Sequence, residues 1–132
     1  MNELISAYNN TKYTVYSPII TIQIGVNNSE LDELLKKFNI TSWAYVTAFN
    51  PFSKVLSKKE NLERHDELKE KVKGYKFYEG EGVGEDASWE PEISLLIMGI
   101  SKKESIELGI YFEQNAIVVG AINGLAELKI LV

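Results

Sequence analysis

The sequence predicts an α/β or α+β sandwich: a mixed β-sheet packed with about three helices, in the order β-α-β-α-β-β-α-β-β. Three observations lead there. Apolar runs of strand length recur at 20–24, 43–49, 93–99 and 116–120, with either period-2 alternation or continuous apolarity. Between them lie segments that open on a hydroxyl or amide residue with an acid three positions later, a helix-start signature. Helices that alternate with strands, instead of being segregated from them, pack on a sheet.

Each element follows in turn. The first twelve residues hold a short helix or an arm. Tyr13–Ile24 reads as one strand region in which Ile20, Ile22 and Ile24 alternate with Thr21 and Gln23, and Pro18, which has no N–H to donate, marks an edge or a bulge. Asn28 or Ser29 caps a helix whose Leu31, Leu34, Leu35 and Phe38 share one face; Ser29 with Asp32 imitates a capping box. Trp43–Phe49 is apolar at nearly every position, the pattern of a strand covered on both sides. Ser57 and Glu60 open the second helix, with Leu62, Leu68 and Val72 as its buried side and Gly74 as its stop. A short strand at 75–79 leads to G-E-G-V-G-E-D-A-S (80–88), a mobile loop by composition. Ile93–Gly99 is the strongest strand. Ser101 and Glu104 start the third helix, which runs to about Glu113 and returns a parallel strand at 116–120. Asn123-Gly124 then turns the chain into a last strand at 127–132.

The composition narrows the function classes. The 132 residues are expected to form one domain, 1–132, with enough apolar content for a core. No apolar run is long enough to span a membrane, and M-N-E-L-I-S-A-Y lacks the basic-then-apolar pattern of a secretory signal. Cysteine is absent, which fits a cytoplasmic protein and removes thiolate chemistry. The net charge of −5 and a single arginine, Arg64, argue against binding a nucleic-acid backbone. No cofactor and no metal are expected: the lone His65 cannot form a histidine-pair zinc site and reads as a surface or boundary residue. The glycines at 80, 82 and 84 sit among Glu79, Glu81, Glu85 and Asp86 with no lysine, unlike a phosphate loop.

One polar cluster stands out. Thr47 and Asn50 end one strand, Glu60 and Asn61 begin the helix it feeds, Glu90, Glu92 and Ser94 begin the strongest strand, and Gln114 and Asn115 precede the next. The last two groups share a sheet edge if those strands are parallel. The first joins them if Trp43–Phe49 is antiparallel to both. Thr47, Asn50, Asn61, Trp89, Ser94, Gln114 and Asn115 would then bind a polar ligand, with Trp89 as a stacking surface. Scaffold roles compete at each position: Asn50-Pro51 suits a turn, Glu60 a cap, and Gln114-Asn115 a helix end.

The segments T-A-F-N-P-F-S (47–53), E-N (60–61), W-E-P-E-I-S (89–94), M-G-I (98–100) and F-E-Q-N-A-I-V-V (112–119) together resemble an uncharacterised bacterial family, the domain of unknown function numbered 3293. The resemblance covers about residues 43 to 131. Thr47, Asn50, Pro51, Glu60, Asn61, Glu92, Ser94, Gln114 and Asn115 fall on its pattern, while Trp89 stands one residue further from the serine. It implies no activity.

Three functions are expected to compete. The first is binding of a small polar molecule, nucleotide-like or nucleobase-like, in the amide- and carboxylate-lined cleft. The second is hydrolysis or group transfer with Glu60 or Glu92 as general acid or base. The third is an accessory role in which the Tyr13–Ile24 edge or tyrosine-rich patches meet a protein partner or a second copy.

Overall fold

The computed structural model describes residues 2–132; Met1, where the expected 1–132 domain begins, lies outside them. The elements are α1 (Asn2–Asn9), β1 (Lys12–Val15), β2 (Ile20–Ile22), α2 (Ser29–Lys37), β3 (Ser42–Thr47), α3 (Lys58–Lys71), β4 (Lys76–Val83), β5 (Glu92–Met98), α4 (Lys102–Tyr111), β6 (Ala116–Ala121) and β7 (Glu127–Ile130), with a tight turn, Pro51–Ser53, after β3. The strands form one seven-stranded sheet in the order β2-β1-β4-β5-β3-β6-β7. Every strand pair in it is antiparallel, which corrects the expected mixed sheet. β5 and β6 do run in the same direction, as a crossover through α4 requires, but β3 lies between them.

The sandwich is also corrected. Strand twist accumulates across a wide antiparallel sheet and curls it. Here the chain beyond β2 meets the chain before β7: Ile24 and Asn27 bridge to Ala126 and Leu125, and the Gly25 N–H donates to the Ala126 carbonyl at 2.8 Å. The product is a half-barrel with two unlike faces. Alternation along each strand sends Trp43, Tyr45, Leu96, Met98 and Val118 to the concave face with Leu31 and Leu35 of α2. Ala44, Val46, Leu95, Ile97 and Val119 go to the convex face, beneath α3 and α4. Burying a residue such as the fully enclosed Leu35 contributes about 1.5–3 kcal/mol.

Among the described residues the α-helices number four, not about three, because residues 2–9 form α1. The expected Tyr13–Ile24 strand is two strands, split by a turn that contains the cis Ser17–Pro18 peptide. Asn28 caps α2, accepting the Leu31 N–H at 3.0 Å. The Ser29–Asp32 box is not the cap: the Asp32 carboxylate instead accepts from the Asn27 side chain and from the Asn123 N–H. That ties α2 to the β6–β7 turn. The Ser57–Glu60 capping box forms as expected, and Ser101 caps α4. α3 is rotated from the expected face: Asn61, His65, Leu68 and Val72 make the buried stripe, and Leu62 is only half-buried.

The expected loop 80–88 shrinks, because residues 80–83 belong to β4 and pair with β1, and residues 80–82 pair with β5 as well. A Cβ on Gly80 would come within 1.8 Å of the Thr14 carbonyl oxygen, so this glycine serves a close strand approach, not mobility. Among the described residues no helix is long and apolar enough to cross a membrane.

Candidate functional site

The concave face is filled at one end and open at the other, and the strands themselves explain why. Going toward the C-terminal end of β3, its inward residues run Trp43, Tyr45, Thr47; β5, read backward, runs Met98, Leu96, Ser94; β6 runs Val118, Ala116. On β3 and β5 the side chains shrink and turn polar, while on β6 Gly120, the register partner of Trp43, makes room for the indole at the filled end. The other wall is α1, which presents Leu4, Ala7 and Tyr8 at helical spacing. Between them lies a cavity of about 710 Å³, within the range of small-molecule sites.

The floor is built from paired residues. Thr47 and Ser94 are register partners. The Thr47 hydroxyl donates to the Ile93 carbonyl at 2.8 Å and accepts the Phe49 N–H at 3.0 Å, and the Ser94 hydroxyl donates to the Glu92 carbonyl. Gln114 is buried and its amide nitrogen donates to the Phe49 and Phe112 carbonyls, so its amide oxygen is left for the cavity that it lines. Tyr13 and Tyr45 stand edge to face at 5.4 Å, with their hydroxyls donating to the Tyr8 and Thr14 carbonyls. Trp89, 40% exposed, stands at the rim.

Two cavity acids are held by hydrogen bonds: the exposed Asp86 accepts from the Ser88 N–H and hydroxyl two residues on, and the half-buried Glu92 is held from a distant helix. Asn61, buried on α3, accepts the Asn50 N–H at 2.9 Å and donates to the Asn50 side-chain oxygen at 2.8 Å. That oxygen also accepts the Leu56 N–H, and the Asn50 amide nitrogen donates to Glu92 Oε2 at 2.8 Å. An amide relay therefore runs from the helix to the carboxylate. Burial pushes the Glu92 carboxyl above the ordinary glutamate value, and the Asn50 and Trp89 N–H groups pull it back. The Tyr8 hydroxyl is pushed up to about 12, first by burial and then by the Glu92 charge.

The turn that carries Asn50 is strained. Asn50, Phe52 and Ser53 have φ of 49°, 50° and 63°, and left-handed backbone at non-glycine residues costs on the order of 1–3 kcal/mol each. Such geometry persists only when neighbours over-determine it. Here the Phe52 N–H donates to the Glu113 carbonyl at 2.7 Å, and Asn115 donates to the Ser53 hydroxyl at 2.9 Å. Arg64 adds a clamp, donating to the Ala48 and Phe112 carbonyls and so joining the end of β3 to the end of α4.

Of the residues expected to form the site, Thr47, Trp89, Glu92, Ser94 and Gln114 line the cavity. Asn50, Asn61 and Asn115 stand behind it as supports. Glu60 is elsewhere: it is exposed, and its carboxylate accepts from the Ser57 N–H and hydroxyl within the cap. Glu90 is exposed and not part of the wall. His65 is corrected from a boundary residue to a buried one on the convex side, 3% exposed, with no hydrogen-bond partner on either ring nitrogen. Its Nε2 lies 3.6 Å from Glu79 Oε2, too far for a hydrogen bond. Sequence reasoning missed Tyr8, Tyr13 and Tyr45, although the inward gradient Trp43-Tyr45-Thr47 was a usable signal. No group of three or more His, Asp or Glu side chains among the described residues could hold a metal ion.

No curated protein and no solved structure matches this chain. A family model described as a protein of unknown function, DUF3293, matches residues 46–117, more than half of the chain and the span holding Asn50, Asn61, Glu92 and Gln114; the chain belongs to that family.

Proposed function

We propose that this protein binds a small polar molecule carrying a flat ring, of the size of a nucleobase or nucleoside, in the cavity between α1 and the concave sheet face. The observation that carries this reading is the Asn61–Asn50–Glu92 relay, which aims a partly buried carboxylate at an aromatic-walled cavity. A fold that only needed a stable turn there had no need to keep a carboxylate in a desolvated place. Strain in the Asn50–Ser53 turn supports the same reading, since such backbone tends to collect at ligand sites. The absence of cysteine favours a cytoplasmic setting for this activity.

The test is a thermal-shift panel of nucleosides, nucleotides and amino acids, run on the wild type and on Ala7→Trp. Ala7 is exposed on α1 and lines the cavity, so the larger ring occupies that space while every sheet residue is kept. A stabilising compound should lose its effect in Ala7→Trp. Stabilisation that survives the block would place binding elsewhere and end the reading.

A second reading has one specific observation in its favour. Burial shifts the Glu92 carboxyl upward, the direction that favours a general acid or base. In that reading Glu92 acts alone, because the Glu60 carboxylate is held in its helix cap. A protein partner at the sheet edge remains the third reading; light scattering across a concentration series tests its self-associating form.

A further inference from the structure

The charges around the cavity are all of one sign. Its wall includes Glu3, Glu85, Asp86 and Glu92, and among the described residues no lysine, arginine or histidine lines it. Its rings are Tyr8, Tyr13, Tyr45 and Trp89. The remaining polar groups include the Thr47 and Ser94 hydroxyls and the Gln114 amide oxygen. A phosphate or carboxylate ligand would meet like charge here with no cation to offset it. A carboxylate offers about four acceptor positions, and the Asn50 and Trp89 N–H groups beside Glu92 leave some of them for a ligand. Aromatic faces next to a desolvated carboxylate are the surroundings that favour an organic cation.

We propose that the ligand is a protonated amine on an aromatic or apolar body, with its ammonium held by Glu92 and its body between the cavity tyrosines and Trp89. This rests on the small-molecule reading above and narrows its chemistry: the molecule carries an ammonium, not a phosphate. Glu85 and Asp86 at the exposed rim add attraction on approach, and the Gln114 amide oxygen supplies a second acceptor inside. Glu92 is the specificity-determining residue, and Asn50 and Asn61 are positioning residues that act through it.

The experiment uses three compounds that share one skeleton and differ in charge: phenethylamine, 2-phenylethanol and phenylacetate. Binding to the full chain is followed by the NMR shift of the Trp89 indole N–H, with the buried Trp43 indole, at the filled end of the same face, as an internal control. Trp89→Phe assigns the two signals. The amine is expected to bind at least tenfold more tightly than the alcohol, and phenylacetate more weakly than either. Glu92→Gln should cost the amine at least tenfold while leaving the alcohol within about twofold. Equal binding of amine and alcohol, or tighter binding of phenylacetate, would overturn the cation assignment while leaving a small-molecule site standing. An amine affinity unchanged in Glu92→Gln overturns the role of Glu92, and with it the proposal. No movement of the Trp89 signal with any of the three overturns the aromatic-amine proposal, whereas the small-molecule reading falls only if the nucleoside, nucleotide and amino-acid panel also gives no cavity-dependent stabilisation.

Discussion

The two ends of the concave face receive helices of different kinds. At one end α2 brings Leu31 and Leu35 into contact with Trp43, Met98 and Val118, and the space closes. At the other, α1 brings Leu4, Ala7 and Tyr8 against Thr47, Ser94 and Ala116, and about 710 Å³ remains. The same sheet face supports both. What differs is side-chain volume on the strands and the face of the covering helix: large leucines over large residues interlock, whereas small and polar strand residues under α1 do not. One end is packed core, and the other is left as a cavity.

The sharpest way to break this contrast is to remove volume at each end. Leu35→Ala should destabilise the protein by about 2–5 kcal/mol in urea denaturation, since Leu35 is fully buried and its loss leaves a void. Leu4→Ala on α1 should cost less than about 1 kcal/mol, because its space already opens on the cavity. Equal losses would mean that α1 is as much a part of the core as α2.

A smaller effect is expected behind the cavity. Asn61→Ala removes both bonds between Asn61 and Asn50 and leaves the Asn50 N–H unpaired, at a cost of about 1–3 kcal/mol. It should also loosen Glu92, seen as altered amide exchange at residues 92–94. An unchanged urea midpoint would show that the relay is dispensable.

Glu92→Gln should act in the opposite direction. The folded-state pKa of Glu92 is raised, so its charged form opposes folding above the ordinary glutamate range, and this opposition fades as pH falls through the folded value. The variant is therefore expected to gain about 1 kcal/mol at neutral pH, the usual size of such gains at functional positions, and to lose that gain in acid. A loss of stability at neutral pH would mean that the Asn50 bond outweighs the desolvation of the charge.

The smallest effect concerns the convex face. Burial is the main cause that lowers the His65 pKa below 6.5; Lys69 lowers it further, while Glu79 and Asp66 oppose this. The unfolded chain thus takes up a proton before the folded one, and the stability present above the ordinary value declines as pH falls toward the folded value. The urea midpoint should drop between about pH 7.5 and about pH 5.5, and His65→Met should flatten that drop. Since this is the chain's one histidine, a slope retained in the variant would assign the acid response to carboxylates.

Much of the fold was legible along the chain. Trp43–Thr47 and Ile93–Met98 are apolar on both faces because both faces are covered, and local burial pattern alone declares that. Ser57 with Glu60 and Ser101 with Glu104 announce helix starts because capping is a contact between residues three apart. The cluster of Thr47, Ser94 and Gln114 at one sheet edge also followed, once β3 was taken as antiparallel to its neighbours. Other features depend on partners far apart in sequence. Asp32 leaves its expected box because Asn123 offers it a backbone N–H across 91 residues, and Gly80 is a strand residue because Thr14 lies against it. The stripe of α3 was misread because it carries Asn61 and His65, polar residues that only a buried partner or a buried site makes sense of. By itself the sequence determined most of the elements, the caps of α3 and α4 and the polar edge, all set by neighbours in the chain. Only the tertiary structure decided the curl of the sheet, the placing of α1 over its unfilled end and the relay to Glu92, because each depends on which distant surfaces meet and how much volume is left between them.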